Sequence, residues 1–190
     1  MLRIHMRGAG GTAARTAAIV VLACLSMLRA SVSFARSTPP EYMIKAAYLY
    51  HFAMFVDWPA EAFASKNSPI VIGIVGNDPF GPAIDDTVRD KRIDGRPLVV
   101  KRLDWAQDLR QCHILFLADG GRIADLVRRL GGLSVLIVGE TQDLASHGAV
   151  INFRIEDNRV RFDINVDAAK RSHLTISSQL LNLARIVRTP

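Results

Sequence analysis

The sequence predicts an α/β protein with a Rossmann-like, mostly parallel sheet of about four strands, helices on both faces, and an antiparallel hairpin extending the sheet near the C-terminus. Three observations carry the prediction. Ile70–Val75 (IVIGIV) and residues 113–118 (HILFLA) are apolar at nearly every position, the pattern of strands covered on both faces. Such runs alternate with helix-forming stretches, the order that lays strands parallel. Ile151–Glu156 and Arg159–Asn165 instead alternate apolar and polar residues on either side of Asp157-Asn158, the pattern of a hairpin with one covered face.

The first 35 residues stand apart. Arg3, Arg7 and Arg15 precede an apolar run over residues 16–28 (TAAIVVLACLSML), and Ser33-Phe34-Ala35 offers small residues where a signal peptidase reads. A secretory signal over residues 1–35, cleaved after Ala35, is expected, with one α/β domain over residues 36–190. A retained N-terminal anchor is the rival, and a lipoprotein box at Val21-Leu22-Ala23-Cys24 is disfavoured because the apolar run continues past Cys24. Four of the 24 basic residues (Arg3, Arg7, Arg15, Arg29) and none of the 18 acidic ones lie in this segment, so cleavage lowers the formal charge from +6 to +2. That balance does not imply nucleic acid as a partner. Cleavage also removes Cys24 and leaves Cys112 alone, so no disulfide can close within the mature chain. At the head of an apolar strand, Cys112 reads as a buried inert thiol; a redox-sensing or intermolecular role is the alternative.

Residues 41–59 (EYMIKAAYLYHFAMFVDWP) read as a helix bounded by Pro39-Pro40 and Pro59, with Glu41 and Lys45 spaced for an ion pair. At 100° per residue, Lys45, His51 and Asp57 fall at about 0°, 240° and 120°, so they build no polar face. A helix apolar nearly all round needs cover nearly all round, from the protein's own core or from another chain. Tyr48, Tyr50, Phe52, Phe55 and Trp58 are therefore candidate partner or dimer-interface residues as well as candidate core. The helix is too short and too charged to be a good membrane span.

After a polar loop at residues 65–69, Ile70–Val75 leads into Gly76-Asn77-Asp78-Pro79-Phe80-Gly81, with Asp78 placed as an N-cap and a helix expected to about Asp90. Further strands are expected at residues 98–103, 113–118 and 134–138, and a short helix at 121–130 ending in Gly131-Gly132. Counted in chain order, the four parallel strands should lie 2-1-3-4. Folding about Asp157-Asn158 pairs Ile155 with Val160, Phe153 with Phe162, and Ile151 with Ile164, one face in the core and the other in water. In residues 175–188, Ile176, Leu180, Leu183 and Val187 recur at helical spacing. That helix, capped by Thr175, should pack beside the aromatic one.

The loop holding Asn77, Asp78 and Phe80 follows a central strand at the edge where open α/β sheets bind ligands, but it has neither dinucleotide nor Walker spacing and also reads as an ordinary turn. His51, His113 and His147 have no metal-ligand spacing. His113 reads as a hydrogen-bonded core histidine, and His147-Gly148 as a helix end. Ser177 and Ser178 sit where hydroxyls satisfy a helix start, without a nucleophile elbow. No catalytic constellation and no cofactor motif is present in the sequence. Arg154, Arg159 and Arg161 share the hairpin's polar face, with Arg154 opposite Arg161 and Glu156 opposite Arg159. They are either a solvated face or a docking patch for an acidic partner.

Together the stretches AAYLYHFAMFVDWP, IGIVGNDPFG, GRPLVVKRL, CHILFLA and GAVINFRIEDNRVRFDINVDAAKRSHLTISSQLLNLARIV resemble the YfiR family, from about Glu41 to Val187 and in matching order. The resemblance implies an exported, non-enzymatic protein of a Gram-negative periplasm. It also implies binding to the periplasmic sensor region of an inner-membrane diguanylate cyclase, repressing cyclic di-GMP synthesis and biofilm formation, a Rossmann-like fold and a tendency to dimerise. Redox control in that family rests on disulfides. Here only Cys112 stands at the matching CHILF position, so switching within the chain is not expected. A periplasmic small-molecule sensor using Asn77–Phe80 and a hydrolase with an unseen site are the alternatives.

Overall fold

A computed structural model of the protein describes residues 39–189. The expected signal segment, residues 1–35, lies outside them. The domain is α/β and its main sheet is mixed. In chain order the elements are α1 (Pro40–Phe55), β1 (Val56–Asp57), β2 (Ile70–Val75), α2 (Pro82–Val88), β3 (Arg92–Ile93), β4 (Arg96–Leu103), β5 (Ile114–Leu117), α3 (Ile123–Arg129) and β6 (Leu136–Gly139). They continue with β7 (Ile151–Glu156), β8 (Arg159–Asn165), α4 (Val166–Arg171), β9 (Thr175–Ile176), α5 (Ser178–Leu181) and β10 (Arg185–Val187). Among the described residues the main sheet has eight strands in the order β10-β8-β7-β6-β5-β2-β4-β3, and β1 pairs with β9 in a small second sheet.

Strands β4, β2, β5 and β6 are parallel neighbours, the 2-1-3-4 order expected. The continuous apolar runs are explained by cover on both sides. Ile70, Ile72, Ile74, Ile114, Phe116, Leu136 and Val138 join a core under α1, α2 and α4, while Val71, Val75, Leu115, Leu117 and Ile137 join a second core under α3. Gly73 interrupts IVIGIV for a steric reason: a Cβ there would stand 2.6 Å from Cys112 Sγ and 2.9 Å from Leu115 Cδ1.

The hairpin has the expected register, Ile155↔Val160, Phe153↔Phe162 and Ile151↔Ile164, and Asp157 and Asn158 both take positive φ (50° and 57°), as a two-residue primed turn requires. Its two faces are less cleanly divided than the alternation suggests. Asn152, Asp163 and Asn165 on the polar face are buried, whereas Ile155 is 51% exposed at the tip. For Asp163 the reason is β10, which pairs parallel with β8 and carries Arg185 over it; Asn165 lies against the 3-10 turn Leu144–His147, its Nδ2 donating to the Ala145 carbonyl, and Asn152 stands between β8 and β6.

Three local expectations are corrected. The aromatic helix stops at Phe55: Val56 is extended, Val56 and Asp57 pair antiparallel with Ile176 and Thr175, and the Ser177 N–H donates to the Phe55 carbonyl. The loop after β2 is longer than predicted, because α2 starts at Pro82 with Gly81 as N-cap at φ 53°. Asp78 caps no helix. Its Oδ1 accepts from the Phe80 N–H at 2.7 Å in a local turn that drives Phe80 into the core against Phe116 and Tyr42. The expected C-terminal helix is replaced by β9, one turn of helix and β10. Ser177, not Thr175, caps that turn by accepting from the Leu180 N–H, and Leu183 is 66% exposed. Two unpaired strand margins, those of β1 and β8, gain hydrogen-bond partners this way, and the β-branched Ile176, Ile186 and Val187 suit it.

Candidate functional site

Helix α1 lies across the core with two unlike sides. Ala46, Leu49, Phe52 and Ala53 are buried toward the sheet, at about 180–300° when Met43 is set to zero. Phe52 stacks on Phe153 at 5.6 Å and meets Phe162 edge-on at 5.2 Å, and Tyr48 borders the same pair at 6.0 and 5.2 Å. At the start of the helix, Lys45 is 2% exposed and ion-pairs with both Glu41 and Glu140, the residue that follows β6. Its ammonium also lies 4.6 Å from the centre of the Tyr42 ring. The Tyr42 hydroxyl donates to Glu140 Oε1 at 3.0 Å; burial, with that bond and the Glu140 charge, pushes the phenol up to about 12. The only lysine of α1 is thereby consumed in clamping it to the carboxyl end of β6.

The opposite side of α1, at about 0–140° on the same wheel, carries Met43, Ile44, Ala47, Tyr48, His51 and Met54. Met43, Ile44 and Met54 are 58%, 48% and 42% exposed, and Met43, Ile44, Ala47, Tyr48 and His51 line a shallow depression of about 410 Å³. No carboxylate, lysine or arginine occupies this face. It is an apolar surface without carboxylate, lysine or arginine, on a helix anchored by the Lys45 ion pairs.

The sequence-predicted interface set divides accordingly. Phe52 is 0% exposed, so it is a core residue with no surface to offer a partner. Tyr48, Tyr50, Phe55 and Trp58 are half-buried; Trp58 stands edge-on to His113 at 6.4 Å. Sequence reasoning missed Met43, Ile44 and Met54. The usable signal was helical phase: once the aromatic rings face the sheet, these residues must face away.

Of the arginine patch, Arg154 is committed to Asp163 (Nε to Oδ1, 2.9 Å) and Glu156 (2.7 Å), while Arg159 and Arg161 are exposed and make no ion pair among the described residues. In the ligand-loop candidate, Asn77 is exposed, Phe80 is wholly buried, and Asp78 Oδ2 accepts from Arg102 Nε at 2.9 Å. Arg102 also binds Asp85 and the Gly81 carbonyl, and its guanidinium holds the Asp85 carboxyl below the usual range. The loop's one acidic group, Asp78, is therefore spent on tying it to Arg102. A cleft of about 510 Å³ opens instead at the amino-terminal edge of the sheet, where Lys101, Arg110, Gln111 and Ser134 are among its lining.

Cys112 is 3% exposed and free, and burial pushes its thiol up to about 11, as for an inert core cysteine. His113 is a hydrogen-bonded core residue. The Val71 N–H donates to Nδ1 at 3.1 Å, which leaves Nε2 to donate to the Ala62 carbonyl at 3.1 Å, and the ring stacks on Phe63 at 4.5 Å. Burial pulls its pKa down. His147 ends a 3-10 turn before Gly148, its Nδ1 bonded to the Asp143 carbonyl, and His51 lies on the exposed face of α1. Among the described residues no group of three His, Cys, Asp or Glu side chains is placed to hold a metal ion, and no helix is long and apolar enough to cross a membrane.

A family profile described as DUF4154, YfiR/HmsC-like, matches residues 42–185. The chain belongs to the YfiR/HmsC-like family. The match begins in the first turn of α1 and ends at the start of β10, so the apolar helix face, the hairpin and the Cys112-His113 strand head all lie inside the family's domain. No curated protein matches the chain at a significant level.

Proposed function

We propose that this protein is an exported regulator that binds the periplasmic sensor region of an inner-membrane diguanylate cyclase and represses its cyclic di-GMP synthesis, and so biofilm formation. The family supports the regulatory reading. The observation that carries the contact is the apolar face Met43–Ile44–Ala47–His51–Met54, anchored by the Lys45 clamp. An exposed apolar patch on a fixed helix is a surface for another polypeptide, and packing against a groove or a second helix is its simplest use. Repression then needs only tighter binding to the inactive than to the active form of the cyclase, and any competitor for the same face relieves it. The protein needs no catalytic group for this role. A homodimer through the same face would be a storage form that competes with the partner.

The test is cyclic di-GMP measured in cells lacking the gene and complemented with wild type, Ile44→Glu or Met54→Glu. Deletion should raise the nucleotide and wild type restore it. The variants should fold normally, since both sites are exposed, yet fail to restore. No change on deletion sinks the regulatory role; full rescue by both variants sinks the proposed contact face. The cleft near Lys101 and Arg110 supports a second reading, a small-molecule sensor, which a ligand-induced rise in melting temperature would favour.

A further inference from the structure

The C-terminal strand offers a second surface. β10 is the last strand of the main sheet, and Arg185 and Ile186 on it are exposed. The hairpin pair next to its turn, Glu156↔Arg159, exchanges backbone bonds across β7 and β8, so alternate residues of β8, including Ile164, turn their backbone groups toward β10. In a parallel ladder Ile164 then bonds to the residues on either side of its partner Ile186, which are Arg185 and Val187. Ile186 is left with both its N–H and its carbonyl pointing out of the sheet. This is an open edge one hydrogen-bonded pair long at its centre, and such edges accept an added strand.

The side chains say what kind of strand. In-register residues of neighbouring strands share a face, so Ile186, 44% exposed, stands with Ile164 on the core face, and Arg185 stands with Asp163 on the other. That other face also carries Arg154, Arg159 and Arg161. Its two carboxylates are already spent: Asp163 on Arg154 and Arg185, Glu156 on Arg154. Arg159 and Arg161 keep unbalanced positive charge beside the edge. A second copy of β10 would add its own Arg185 to this face and be repelled.

We propose that β10 is a docking edge for an extended, acidic segment of another polypeptide, with apolar residues over Ile186 alternating with carboxylates toward Arg161 and Arg185. This surface is distinct from the α1 face and does not depend on the identity of the partner proposed above.

The probe is a blocked, fluorescently labelled heptapeptide, Thr-Glu-Val-Glu-Val-Glu-Thr, with its glutamate-to-lysine counterpart as control. Anisotropy titrations of the mature protein should show binding of the acidic peptide only, weakened about tenfold by the double variant Arg159→Glu/Arg161→Glu, whose sites are exposed. Amide exchange at Ile186 should slow when the acidic peptide is present. Ile44→Glu should leave this binding unchanged, which separates a failure here from a failure of the α1 reading. Absence of binding, equal binding of both peptides, or protection of Ile186 that grows with protein concentration alone, the mark of a second copy, would each overturn the proposal.

Discussion

Lys45→Met isolates the clamp that fixes α1. Lys45 is 2% exposed and is shared by Glu41 and Glu140, whose side chains are 40% and 20% exposed. Methionine keeps the length and fills the slot between the Tyr42 and Phe153 rings, so little packing is lost. What is lost is the cation, leaving Glu140 poorly hydrated with only the Tyr42 hydroxyl as donor. Removing one member of a fully buried ion pair costs about 3–5 kcal/mol; the partial exposure of both carboxylates puts this case near the lower end, at about 3 kcal/mol. For a domain of this size that is a fall of about 6–12 °C in melting temperature. Urea denaturation followed by circular dichroism gives the free energy directly. The companion is Lys45→Met/Glu140→Leu. With the stranded carboxylate gone, the double variant should recover most of the loss, because replacing a whole buried pair by apolar groups is often neutral. A single-variant cost below about 1 kcal/mol, or a double variant less stable than the single, would show that the Lys45–Glu140 pair is not what holds the helix down.

Phe52→Ala should cost about 3–5 kcal/mol, as for other buried phenylalanines, while Met54→Ala two residues on should cost under about 1 kcal/mol. Thermal melts of the two variants would test the division of α1 into a core side and a free side, and similar losses would erase it. His113 should make the fold weaken in acid. Its folded-state pKa is depressed, so the neutral ring is fully favoured above the ordinary histidine value of about 6.5, and stability is lost as pH falls below it toward the folded value. The slope from this one group can reach about 1.4 kcal/mol per pH unit. His113→Gln should flatten the difference in urea midpoint between pH 7.5 and pH 5.5, and an unchanged difference would assign the acid sensitivity elsewhere.

The parts of this fold legible in the sequence are those whose pattern is local and whose cover is complete. IVIGIV and HILFLA read as doubly buried strands because nearly every position is apolar, and the hairpin register follows from a period of two about a turn that needs two positive-φ residues. The C-terminal segment was misread because its hydrophobic residues satisfy a helix as well as two short strands. The decision belongs to distant backbone: the free margins of β1 and β8, more than ten residues away, offer hydrogen bonds that a helix would forgo. Asp78 fails as a cap for a related reason. Burying Phe80 against Phe116 takes up the residues that the helix would have used.

The candidate site was half legible for an instructive reason. Richness in aromatic residues marked α1 as special, but large rings are most valuable where both faces are packed, so Phe52 lies wholly inside and Tyr48 half inside. The face left outside is built from methionine, isoleucine and alanine, residues that carry no obligatory polar partner and, in methionine, a side chain that adapts to the shape it meets. A face evolved only for solubility would place charge there, as α2 does with Asp86, ion-paired to Arg89 at its C-cap. That contrast between two surface helices of one domain, rather than the count of aromatic rings, is what supports the proposal that α1 is the side a partner covers. It also sets a sharp condition: a charge introduced at Ile44 should leave the melting temperature of the isolated protein within about 2 °C and act only on association.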